Sequence, residues 1–202
     1  MIEHIRCKNK LGYDNNDYLI SFLKAIQKGW NPLKDVNMSK DFYDNIRNNK
    51  SAYPKHIVAL CGFCATYNAK WFGGYAGIVH TKANTYRNYY NEAVRNVLKQ
   101  KEQIANVIFD CKSYENIDVN GALIYCDPPY EGTTKYKDDF NHCKYWDWVR
   151  TMSINNIVLC SEYNAPEDFK CVWEKESTVT LDNEKEEITS KLLKLDNEKP
   201  SK

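Results

Sequence analysis

An α/β fold is what this sequence predicts, and two observations carry the expectation. Short apolar runs with strand character close on acidic turns, as at Lys10–Tyr13 before Asp14 and Gly121–Cys126 before Asp127, and segments of helical period lie between them. Carboxylates at the carboxyl ends of strands fit an open sheet, because ligands of such sheets bind outside that edge.

Taken in order, Lys10-Leu-Gly-Tyr13 reads as a strand ending in Asp14-Asn-Asn16, a turn that offers a helix cap. Tyr18, Leu19, Phe22, Leu23 and Ile26 then keep a helical period, and Gly29 stops it. Ser39 caps a helix to about Asn48, and Tyr53–Cys64 reads as a mostly apolar helix. The loop Tyr67–Tyr75 holds four aromatics, Lys70 and the pair Gly73-Gly74. Aromatics beside a cation suit contact with phosphates and bases, and the same residues equally suit a Gly-Gly hairpin with a packed aromatic face. Lys82-Ala-Asn-Thr-Tyr-Arg87 adds cationic reach ahead of a helix through about Lys101.

Asn106–Asp110 returns to strand character, and Gly121–Cys126 is a buried strand. Glu131–Asn141 is polar and reads as a mobile loop able to close over a ligand. Tyr145–Met152 is a helix with Trp146 and Val149 on one face, and Asn156–Cys160 is a strand leading into Ser161-Glu-Tyr163. Thr178–Leu181 is a last strand, and from Asp182 onward the charged, polar chain is expected to fray.

The 202 residues carry a net charge of +1, which hides an asymmetry. Residues 31–100 hold ten Lys and Arg against four Asp and Glu, and the remainder holds eighteen against twenty-three. A basic middle in an acidic frame suggests a segment that faces a polyanion. No apolar run reaches the length of a membrane span, and no signal peptide is visible, so a reducing cytoplasm is the expected compartment. Cys111, Cys126 and Cys160 lie in apolar runs, where Cys behaves as a small hydrophobe. Cys61-Gly-Phe-Cys64 has the spacing of a redox motif or half a zinc site, with only His142-Cys143 as a weak second half.

Ile124-Tyr-Cys-Asp-Pro-Pro-Tyr130 carries the chemistry. Two prolines end the strand at a fixed point because neither donates a ladder hydrogen bond. Asp127 and the carbonyl of Pro128 can accept both N–H groups of an exocyclic amine, whose lone pair is otherwise delocalised into its ring. Tyr130 can stack on that ring. Asp14, at the end of its own strand, can accept hydrogen bonds from the hydroxyls of a ribose.

These residues together resemble the Dam-type DNA adenine N6-methyltransferases over roughly residues 9 to 182. Asp127-Pro-Pro-Tyr130 matches the family's catalytic motif, so the resemblance makes Asp127, Pro128, Pro129 and Tyr130 the catalytic set. Gly12-Tyr-Asp-Asn-Asn16 looks like the motif whose Asp binds the ribose of S-adenosylmethionine (SAM), which falls on Asp14 with Asn15 beside it. Phe109-Asp-Cys-Lys-Ser-Tyr114 is similar to the strand-end motif near the cofactor's adenine and adds Asp110 and Tyr114. Many relatives have an acid where this chain has Ser113. Asp127 completes the cofactor-facing set. Ser161-Glu-Tyr163 with Ala165–Phe169 resembles the segment after the fifth strand.

What the resemblance implies is a Rossmann-like SAM-dependent methyltransferase sheet with a mainly helical DNA-recognition insertion. The catalytic core would comprise 1–30 and 101–182, the basic insertion 31–100, and a polar tail 183–202. Double-stranded DNA would be the partner, contacted through Lys70, Trp71, Lys82 and Arg87, and no metal is implied. Relatives carry a Phe-x-Gly-Gly loop for the methionine end of SAM just before the first of these strands. Residues 1–9 hold no such pattern, so an N-terminally truncated chain is expected, with a start upstream of Met1, an upstream polypeptide or partner chain supplying the first strand and glycine loop, or a degenerate enzyme as the alternatives. Competing readings are a non-catalytic DNA-binding remnant, a small zinc or redox protein built on Cys61 and Cys64, and the same chemistry on cytosine N4 or protein glutamine.

Overall fold

The computed structural model describes residues 2–131, 140–181 and 184–196. The chain divides into two compact units, Met1–Ile117 and Asp118–Lys202. The first contains β1 (Lys10–Asp14), α1 (Asp17–Gln27), α2 (Pro32–Asp35), α3 (Lys40–Asn48), α4 (Lys55–Ala59), β2 (Ile78–His80), β3 (Tyr86–Asn88), α5 (Tyr89–Gln100) and β4 (Val107–Cys111).

Strands β1 and β4 run parallel, with Gly12 opposite Phe109 and Asp14 opposite Cys111. A side chain at Gly12 would not fit, since a Cβ there would stand 2.6 Å from the Phe109 ring. Asn16 caps α1 by accepting the N–H groups of Tyr18 and Leu19 at 3.1 and 3.2 Å. The helix ends at Gly29, whose φ of 93° lets the N–H of Trp30 reach back to the carbonyl of Ala25 at 3.1 Å. The side-chain amide of Gln27 donates to the carbonyls of Ile104 and Val107, tying α1 to the start of β4.

Ile26, Tyr43, Ile46, Val58, Leu60 and Val94 are completely buried and centre the core of this unit. The apolar run Tyr53–Cys64, expected as one helix, starts only after Pro54 and changes at Leu60–Cys64 into a π-helical turn. That turn seats the Trp71 ring on Gly62, where a Cβ would stand 2.4 Å from the indole. Between the loop of 67–75 and α5, β2 and β3 form an antiparallel hairpin that registers His80 with Tyr86. Residues 31–100 are therefore helices plus a hairpin.

The second unit contains β5 (Leu123–Cys126), α6 (His142–Ser153), β6 (Ile157–Glu162), β7 (Phe169–Leu181) and β8 (Glu184–Leu195). Its sheet has the order β5-β6-β8-β7, with β5 and β6 parallel and the other pairs antiparallel. Helix α6 buries Tyr145, Trp146 and Val149. Arg150 on α6 grips the carboxylate of Asp168 with Nε at 2.6 Å and Nη2 at 2.9 Å.

Two expectations are corrected here. The strand expected at Thr178–Leu181 as the last one begins at Phe169, carries a bulge between Cys171 and Trp173, and is followed by another. The stretch beyond Asp182, expected to fray, forms β8, which pairs Leu193 with Cys160 and buries Leu193 at 4% exposure. The run Glu184-Lys-Glu-Glu187 gives the segment a disordered look, and the apolar Leu192-Leu193 pair that closes the sheet stands at its far end. The loop expected to close over a ligand falls mostly on residues 132–139, outside those described. Among the described residues, no helix is long and apolar enough to cross a membrane.

Candidate active site

The pairing of β5 with β6 ends at Cys126 opposite Cys160; Asp127 leaves β5 there, while β6 continues through Ser161 to Glu162. Asp127 is exposed, and Pro128, Pro129 and Tyr130 are half-buried. The hydroxyls of Tyr130 and Ser161 are hydrogen-bonded to each other. The Tyr130 ring meets Tyr163 edge-on, with centroids 4.7 Å apart and planes at 87°. Burial pushes the Tyr130 phenol up, the Ser161 hydroxyl opposes that, and the charge of Asp127 adds to it. A protonated, held ring beside an exposed carboxylate is an arrangement that can receive a flat heterocycle bearing an amine. A groove of about 280 Å³ bordered by Glu131, His142, Trp146 and Asn164 lies next to the motif.

The other carboxylates gather at the carboxyl edge of β1 and β4 in the first unit. Asp14 accepts the N–H of Asn16 through Oδ1 at 2.7 Å, and its carbonyl accepts the N–H of Lys112 at 3.0 Å. Burial raises the proton affinity of the Asp14 carboxyl, and the Asn16 N–H lowers it in part. The Asn15 carbonyl accepts the Cys111 thiol at 3.6 Å. Asp110 is exposed, accepts the N–H of Cys111 at 3.0 Å and has Lys112 Nζ at 4.0 Å. Tyr114 opens a short turn, Tyr114–Asn116, just beyond. Asp14, Asn15, Asp110 and Tyr114 thus share one sheet edge, and Asp127–Tyr130 belong to the other unit. A half-buried carboxylate at that edge, with one oxygen spent on a backbone N–H, has the chemistry to accept from a ribose hydroxyl and so fits the nucleoside of SAM.

The four cationic and aromatic candidates meet different fates. Lys82 stands exposed at the tip of the hairpin, in a turn closed by the Thr81 N–H on the Thr85 carbonyl at 2.8 Å. Lys70 is exposed, with its stem against Gly73. Arg87 is engaged: Nη2 lies 2.7 Å from Glu92 Oε2, and the guanidinium sits 4.5 Å over the Tyr89 ring. Trp71 packs one side on Phe63 at 4.7 Å and Tyr18 at 5.3 Å and remains 37% exposed.

Residues that the sequence reading passed over stand beside these. Tyr86 and Ile78 on the hairpin are 79% and 66% exposed, large apolar groups held out to solvent. Glu162 is buried to 1% exposure and accepts the N–H of Glu131, the residue after the motif, at 2.7 Å. A second strand ending in polar residues next to the Asp127 strand was the available signal for Glu162. The hairpin strands are three residues each and gave no alternation to find.

Cys61 and Cys64 lie in the core, where burial pushes both thiols up to about 12. Among the described residues, no three His, Cys, Asp or Glu side chains gather as metal ligands would. Thiols held protonated in an apolar core are inert, which speaks against a redox or zinc role for that pair. Compared with known proteins, residues 2–150 match the family model of the D12 class N6 adenine-specific DNA methyltransferases. A comparison with curated proteins gave no match.

Proposed function

The chain belongs to the D12 class of N6 adenine-specific DNA methyltransferases, and on that premise we propose how its residues divide the work. The reaction is methylation of adenine N6 in DNA, and the family normally takes the methyl group from SAM. When bound, SAM supplies a methyl group activated on a sulfonium. Asp14 and Asn15 would hold its ribose, and Asp110 and Tyr114 would stand near its adenine.

The target base lies inside a duplex and must be flipped out, at a cost of a few kcal/mol. Tyr130 offsets part of that cost by stacking on the extruded base. Asp127 and the Pro128 carbonyl accept the two N6 hydrogens, which draws the nitrogen lone pair out of conjugation and aims it at the incoming methyl. Fixed alignment of this kind supplies much of the rate. The alkylated nitrogen must shed one proton, and Asp127 is the acceptor that faces it.

Within the class, a Dam-type layout is the finer reading. Residues 1–30 and 101–182 would form a Rossmann-like core, and 31–100 would recognise double-stranded DNA through Lys70, Trp71, Lys82 and Arg87, with the exposed Tyr86 beside them. The basic balance of 31–100 and a hairpin with outward Tyr86 support this. Strand β1 pairs on one side with β4, and its other edge has no strand partner among the described residues. Along β1, Leu11 is left 43% exposed.

The observation that carries the proposal is the exposed Asp127 at a strand end beside Tyr130, whose ring and hydroxyl are both held from β6. Asp127→Ala is expected to cut methyl incorporation from radiolabelled SAM into duplex DNA by about a hundredfold or more. DNA binding should stay within about twofold, since the side chain is exposed and supports no core contact. Turnover near the parent level in Asp127→Ala would overturn the assignment.

A further inference from the structure

We propose that Glu162 is a positioning residue for the acceptor motif, fixing from β6 the backbone that leaves Tyr130; this rests on the reading of Asp127–Tyr130 as the amine pocket. A carboxylate 1% exposed is unusual, because charged side chains are rarely buried without partners. Glu162 has two. Oε1 accepts the N–H of Glu131 at 2.7 Å, and Oε2 accepts the N–H of Tyr163 at 2.7 Å. The Nδ1 of His142 stands 3.9 Å from Oε1, and it is buried with no hydrogen-bond partner among the described residues.

Alternation along β6 explains the arrangement. Within β6, which ends at Glu162, Ser161 and Glu162 lie on opposite faces. Ser161 holds the Tyr130 hydroxyl on the first face, and Tyr163, just beyond the strand, meets its ring edge-on. Glu131 is held by Glu162 on the opposite face. The chain therefore crosses over the end of β6 between Tyr130 and Glu131, and Glu162 sets where it crosses. Moving that point would tilt the ring and shift the Pro128 carbonyl, two of the groups that orient the amine.

Glu162→Gln keeps the volume and turns one acceptor into an NH₂ facing an N–H, so one anchor is lost. The full chain should show kcat for DNA methylation lower by about tenfold to a hundredfold, with KM for SAM and DNA within about twofold. A purely structural role would lower the melting temperature without this split. A folded Glu162→Gln variant with parent kcat overturns the proposal. In the unmodified chain the Glu131 amide should exchange slowly with deuterium by NMR, and rapid exchange overturns it even if the variant fails to fold. Asp127→Ala separates the two readings. If Asp127→Ala is inactive and Glu162→Gln is fully active, the positioning role alone fails; an active Asp127→Ala removes the amine pocket itself.

Discussion

Glu92→Gln should strengthen DNA binding, and the size of the effect follows from the hairpin's charges. In the free chain, Arg87 Nε lies 2.9 Å from both carboxylate oxygens of Glu92, and Nη2 lies 2.7 Å from Oε2. The pair is electrically neutral and releases no counterion when it meets a phosphate. Replacing Glu92 by Gln leaves the guanidinium over Tyr89 with its charge uncompensated, on an exposed hairpin. One added phosphate contact steepens the dependence of log affinity on log salt by about 0.9 on B-form DNA. Between 50 and 200 mM salt, a contact of that kind corresponds to about 3.5-fold in affinity. Fluorescence anisotropy with a labelled duplex over that range measures both slope and intercept. Glu92→Gln should bind several-fold tighter at 50 mM and show the steeper slope, and Arg87→Ala in the same background should cancel both. An unchanged slope in Glu92→Gln would show that Arg87 does not face DNA and would remove it from the interface.

Four further outcomes follow from the buried groups. Asp14 has a folded proton affinity raised by burial, so between the unfolded and folded pKa the native state holds more protons, and its ionisation costs stability as pH rises through the folded value. Asp14→Asn should therefore melt higher at pH 7 by calorimetry while binding SAM at least about tenfold more weakly, and a parent-like SAM affinity would refute the ribose role. In the parent chain, SAM affinity should begin to fall on acidification above the ordinary Asp value of 3.8, because the acceptor is then protonated. Gly62→Ala drives a methyl group to 2.4 Å from the Trp71 ring and should destabilise by about 1–3 kcal/mol in urea titration; no loss would mean the indole is free to leave. Cys61 and Cys64, pushed up to about 12, should react with iodoacetamide at pH 8 about a thousandfold more slowly than an exposed thiol, and fast labelling would reopen the redox reading.

How much of this was legible in the sequence depends on whether the determinant was local. The Asp127-Pro-Pro-Tyr130 turn and the Asn16 cap are written in consecutive residues, since proline chemistry and an Asx side chain act within a few positions. Strand β8 was not, because its polar first half belongs to a long hairpin and only its partners on β6 and β7 make it a strand. Trp71 shows the same limit from the other side. Beside Lys70 it has the composition of a nucleic-acid contact, and only the structure shows that one side of the ring rests on Gly62, nine positions earlier, while 37% of the residue stays exposed. Arg87 counts as a free cation in any charge tally until Glu92 is found opposite it. Glu162 is the sharpest case. In sequence it stands inside Ser161-Glu-Tyr163 with no role of its own, and the role proposed for it depends on β5 and β6 being neighbours, which brings a residue thirty-one positions away under its carboxylate. The residues proposed to do the chemistry could thus be picked out from their own order, whereas those proposed to hold them emerge only from the pairing of strands.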